Sequence, residues 1–208
     1  MSKIDFKKTL KQFYSPPAGR FTVVDVPPMQ FLMIDGAGDP NTAVVYTEAV
    51  EALMAVAFKT KFLSKKELER DYVVPPLEGL WWADDWGAFT SRRDKDEWSW
   101  TMMVMTPDWI PADMVSTAVA EVQAAKRLPA LPRLRLETYA EGLSVQILHI
   151  GSYEDEAPVL QRMHDEFMPP EELMPAGKHH EIYLSDPRRV APENLKTVLR
   201  QPVQVITV

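Results

Sequence analysis

Apolar residues change their spacing several times along this chain, and each change marks an element. From Thr42 to Phe62 the composition turns to alanine, methionine and glutamate. Val45, Ala49, Ala52, Leu53, Val56 and Ala57 fall at helical spacing there, which predicts a long amphipathic helix. Met114, Val115, Ala118, Val119 and Val122 repeat in the same way between Pro111 and Lys126 and predict a second. Shorter helices are expected over residues 3–14, closed by Pro16-Pro17-Ala18-Gly19, over 154–168 and over 192–200. β-rich runs predict strands over 21–26, 30–35, 98–106, 134–139, 143–150, 180–184 and 203–208. Tyr72-Val73-Val74 and Leu80-Trp81-Trp82 are shorter strand candidates around Pro75-Pro76, 64–70 is charged and helical or irregular, and 83–97 and 169–177 read as loops.

The pattern repeats. Thr101-Met102-Met103-Val104-Met105-Thr106-Pro107 is answered 80 positions on by Glu181-Ile182-Tyr183-Leu184-Ser185-Asp186-Pro187, and Met33-Ile34-Asp35-Gly36 by Leu148-His149-Ile150-Gly151. Repeat halves of about 20–127 and 133–208 are expected within a single domain spanning 1–208, joined by a proline-marked linker. Each half would form a small sheet with helices on one face, an α+β architecture of antiparallel sheets. Paired through a pseudo-twofold axis, the halves would form a saddle with a central ligand groove.

Composition narrows the function. Cysteine is absent, which excludes disulfides, thiolate zinc sites and cysteine nucleophiles. Lys and Arg total 23 against 30 Asp and Glu, so no nucleic-acid partner is expected, because phosphate binding needs a basic face. Residues 1–8 are too charged for a signal-peptide core and no apolar run approaches the ~20 residues of a membrane span, so no membrane partner and a cytoplasmic location are expected. Neither glycine-rich phosphate loop pattern occurs, and no nucleophile elbow is present.

Candidate chemistry concentrates in Lys178-His179-His180-Glu181-Ile182-Tyr183-Leu184. On a strand, His180, Ile182 and Leu184 share one face and His179, Glu181 and Tyr183 the other. Placing Ile182 and Leu184 in the helix-covered core puts His179, Glu181 and Tyr183 in the groove. A buried Glu181 would gain proton affinity and suit general-base work; the plainer alternative is a solvated strand face. A metal site is not expected, because His179 and His180 point opposite ways and no HExxH spacing exists, and no cofactor is expected. All six tryptophans (Trp81, Trp82, Trp86, Trp98, Trp100 and Trp109) lie within 29 residues. Trp81, Trp82, Trp100 and Met103 are candidate walls for a flat apolar or cationic ligand. Core packing by some of them remains open, as does the face that holds Trp100.

Residues 179–189 (HHEIYLSDPRR), followed by 192–203 (PENLKTVLRQPV), resemble the C-terminal signature of the GyrI-like small-molecule-binding family. Residues 145–156 resemble its second-half strand and turn. Residues 76–82 and 98–103 are similar to its stand-alone branch of roughly 200-residue proteins, so the resemblance covers nearly the whole chain. It implies two SHS2-type modules and a groove for hydrophobic, often aromatic or cationic, molecules. Relatives serve as effector domains of multidrug-responsive regulators or as a gyrase-inhibitory protein. Some stand-alone members are hydrolases that detoxify cyclopropane-bearing alkylators, a groove glutamate directing water onto the strained ring. The resemblance puts Glu181 in that role, with Tyr183 as its partner and His179 among the ligand contacts. No helix-turn-helix is visible, so direct regulation of transcription is not expected. Binding without turnover, as a sequestering or sensing protein, is the alternative, and the oligomeric state is left open.

Overall fold

The computed structural model describes residues 3–84 and 94–206. Its helices and antiparallel strands make an α+β fold that divides into two compact units. One joins the N-terminal residues up to Thr9 to Met29–Tyr139; the other joins Leu10–Pro28 to Ala140–Val208. The expected halves, 20–127 and 133–208, therefore differ from these units by an exchange of strands: the strand near residue 24 goes with the second unit and the strand near 137 with the first.

In the first unit, β2 (Met29–Ala37) and β4 (Ser99–Met105) pair along seven residues, with β3 (Leu77–Trp82) outside β4 and β5 (Arg135–Tyr139) outside β2. Two single-turn helices, α1 (Phe6–Thr9) of this unit and α2 (Lys11–Tyr14) of the second, stand where one short helix is expected. The Asp39 carboxylate accepts from the Asn41 backbone N–H at 2.9 Å and closes the turn that leads into α3 (Val44–Glu67). The helix buries Ala49, Ala52, Leu53, Val56 and Ala57, the stripe its spacing predicts, against β2 and β4. Next to it packs α4 (Ala112–Lys126), which ends at Arg127 in a left-handed conformation (φ 51°), the place glycine usually fills.

In the second unit the strand order is β1 (Thr22–Val26), β6 (Gly142–Ile150), β9 (Lys196–Val205), β8 (His179–Tyr183), with β7 (Leu173–Pro175) pairing the end of β9. Val145, Ile147, Leu199 and Val203 point to the side of the sheet covered by α5 (Glu156–Arg162) and the π-helical turn Met163–Phe167, packing with Met163, Met168, Val159 and Phe167.

Three sequence expectations are corrected. Residues 192–200 are not a helix: a single 3₁₀ turn, Pro192–Asn194, leads directly into β9, which runs on through Pro202. The 80-residue register also joins unlike strands. β4 lies between β3 and β2, whereas β8 pairs with β9 and not with β6. By position β8 answers β3, and β9 answers β4. The third correction concerns the two faces of β8. Glu181 stands opposite Leu199, and Tyr183 opposite Thr197, so their side chains share the face beneath α5. His180 and Ile182 take the other face, where Arg200, opposite His180, donates to the Phe13 carbonyl.

Candidate functional site

The site grows from the alternation of β8. Glu181 and Tyr183, two residues apart on one pleat, are close enough for the Tyr183 Oη to donate to Glu181 Oε2 at 2.7 Å. His179, on the same face, brings Nε2 to 3.5 Å from Glu181 Oε1. The imidazole is nearly sealed, at 2% exposure, while the carboxylate keeps 14%. Tyr183 thus holds one oxygen of the carboxylate and His179 stands beside the other.

Further groups face this set from α5 and its approach. Tyr153 meets Tyr183 edge to face, with centroids 5.8 Å apart and planes at 84°. Burial, then the charges of Glu156, Glu181 and Asp186, push the Tyr153 phenol up to about 12. Glu156, at the start of α5, is buried. His164, on the π-helical turn, is held at about 4, chiefly by burial and then by the neighbouring charge of His179. Sequence reading missed Tyr153, Glu156 and His164 as neighbours of Glu181. Their signal exists only once the helix is folded onto this face of the sheet.

The opposite face of β8 holds a second polar set, also unforeseen. His180 Nδ1 lies 2.9 Å from Glu141 Oε1, and Arg200 Nη1 donates to Glu141 Oε2 at 2.9 Å. Arg200 also donates to Gln146 Oε1 and to the Phe13 carbonyl. Burial alone would raise the Glu141 acid; the His180 and Arg200 charges outweigh it and hold the group at about 2. The adjacent histidines therefore do different work: His180 belongs to a sealed ionic cluster, and His179 faces the candidate acid.

The first-unit candidates divide. Trp100 is fully buried, edge-on to Tyr46 of α3 at 5.3 Å, and its indole N–H donates to the Gly38 carbonyl at 3.3 Å. Trp81 turns to the same helix, 6.1 Å from Tyr46, and Met103 is also fully buried. Two glycines permit this packing. A Cβ at Gly36 would overlap the Trp100 ring, and one at Gly79 would lie 2.7 Å from Trp81 Nε1. These three side chains are packed within their own unit and form no open wall there. Trp82 keeps part of its indole at the surface. Trp109 stacks under Arg70 at 3.9 Å, and Trp86 lies outside the described residues. Among the described residues no cluster of three or more metal-ligating side chains occurs, and no helix is long and apolar enough to cross a membrane.

Comparison with known proteins places this geometry. Residues 20–204 match the model of the GyrI-like small molecule binding domain. A conserved Listeria innocua protein of uncharacterized function is 40% identical, with a TM-score of 0.89 over 97% of this chain and 100% of its own. Two Listeria innocua structures described as hydrolases are 38% and 39% identical, with TM-scores of 0.84 and 0.87, covering 97% and 98% of this chain and 100% of theirs. The C-terminal domain of EcmrR, 8% identical at a TM-score of 0.52 over 89% of this chain and 98% of its own, shares the fold alone. No curated protein matches.

Proposed function

The chain belongs to the GyrI-like small-molecule-binding family, and from that premise we propose that it is a hydrolase of hydrophobic, aromatic small molecules, with Glu181 and Tyr183 as its reacting groups. The observation that carries this reading is the 2.7 Å hydrogen bond between them. The two relatives described as hydrolases, similar along their whole length, support it.

The chemistry that suits this pair is addition of water to a strained electrophile, such as a cyclopropane conjugated to a carbonyl. As the water oxygen attacks a ring carbon, its proton passes to the Glu181 carboxylate. The ring C–C bond breaks, and its electron pair moves onto the carbonyl oxygen, which is then protonated. Tyr183 keeps the carboxylate aimed, and general-base help of this kind contributes about 10²–10⁴-fold. Strain in the substrate supplies part of the driving force. The Tyr153 and Tyr183 rings offer aromatic surface beside the acid. Opening of the ring disarms an alkylator, so the activity is a detoxification.

The test is to incubate the protein with a cyclopropane-bearing aromatic alkylator and follow the water adduct by mass spectrometry. Many turnovers per protein are expected, with Glu181→Ala abolishing them while tryptophan fluorescence shows ligand affinity within a few fold. Stoichiometric, unchanged ligand would leave a binding protein without catalysis.

A further inference from the structure

We infer that His179 is the proton relay behind Glu181, receiving on Nε2 the proton that the carboxylate takes from water. The inference rests on the hydrolase reading above and goes beyond it by assigning where the proton goes.

Geometry sets the order of transfer. Glu181 is the more open group, at 14% exposure, and His179 lies behind it at 2%, with Nε2 3.5 Å from Oε1. Tyr183 already donates to Oε2, so Oε1 is the oxygen left for proton traffic. In the first step a water O–H bond breaks and an O–H bond forms at Glu181. In the second, that proton moves to Nε2 of a neutral His179 carrying its own hydrogen on Nδ1. The products are a carboxylate and an imidazolium side by side, an ion pair in a poorly hydrated place where opposite charges attract strongly. Glu181 is thereby restored as a base before the product leaves. The imidazolium then returns its proton through Glu181 to the new oxyanion, and nothing is left over.

The surrounding titratable groups agree with this assignment. Glu181 and Tyr183 lie on β8 itself, and His164 approaches from the π-helical turn. Tyr153, Glu156 and Asp186 lie beyond Glu181. Burial and the His179 charge hold His164 at about 4, so it stays neutral near pH 7 and does not compete for the proton. His180 is occupied on the opposite face by Glu141. π-Helical turns are often retained at functional sites, and this one carries the imidazole that neighbours His179.

The test is kinetic. His179→Gln keeps a hydrogen-bonding side chain of similar reach that cannot store a proton. It is expected to lower kcat at least tenfold with KM within about twofold, and to remove the acidic limb of the kcat–pH profile. Full activity in His179→Gln overturns the relay and leaves the hydrolase reading standing, as does a kcat–pH profile unchanged by that substitution. A wild-type protein that never turns over the alkylator overturns both.

Discussion

Arg200 and Glu141 meet at 2.9 Å with side chains 0% and 2% exposed. His180 lies 2.9 Å from the other carboxylate oxygen, so a single acid from the β5–β6 turn ties together β8 and β9. Ions taken this far from water are expensive to bury, and removing one partner leaves the others charged and unmatched. Glu141→Ala is therefore expected to lower unfolding stability by about 3–5 kcal/mol, measured by urea denaturation. A loss under about 1 kcal/mol would mean that the cluster behaves like a solvated surface pair.

The same acid gives a pH signature. Its folded value, about 2, lies below the ordinary 4.5. A depressed carboxylate contributes stability that is complete above the unfolded value and is lost as pH falls through the window down to the folded one. Urea stability should therefore drop between pH 4.5 and 2 more steeply in the wild type than in Glu141→Gln. Parallel curves for the two proteins would remove Glu141 from acid unfolding.

The legible parts of the sequence were those in which a single period decides the outcome. Ala49, Ala52, Leu53 and Val56 mark the buried stripe of α3 whatever it packs against. The alternation of β8 likewise groups Glu181 with Tyr183 correctly. It does not say which side a helix covers. Ile182 looks like a core residue because it is one, but it is buried on the face of the sheet turned away from α5. Arg200 was hidden for a related reason: its charge reads as surface until Glu141, 59 residues away, is brought to it. β9 is buried along most of its length on both sides, so Thr197–Val203 shows neither alternation nor helical period. Pro202 then invites a break that the chain does not make. Trp81 and Trp100 resisted assignment because the glycines that seat them, Gly79 and Gly36, are meaningful only across strands.

Tyr183→Phe isolates the phenol's share of the proposed reaction. The aromatic ring and its edge contact with Tyr153 remain, while the 2.7 Å hydrogen bond to Glu181 is lost. Hydrogen bonds to charged groups are worth about 1.5–3 kcal/mol. If about half of that acts only in the transition state, kcat falls roughly tenfold with KM little changed. Steady-state kinetics on the alkylator checks this, and an unaltered kcat would exclude the phenol from catalysis.

Gly36 offers a test of the first unit's packing that needs no substrate. It stands directly opposite Trp100 in the β2–β4 ladder, and the indole lies across its backbone. From the other side, Tyr46 of α3 meets the same ring at 5.3 Å and 87°, so the ring cannot lift away. A methyl group inserted between ring and strand must displace one of them, and overpacking of this kind costs about 1–3 kcal/mol. Gly36→Ala is expected to lose that much in urea denaturation. The cause can be separated from any demand on the backbone by a double-mutant cycle. With Trp100→Leu present, Gly36→Ala should cost far less, because the smaller side chain leaves room for the methyl. Additive losses would show that strand geometry at residue 36, and not the indole above it, requires glycine.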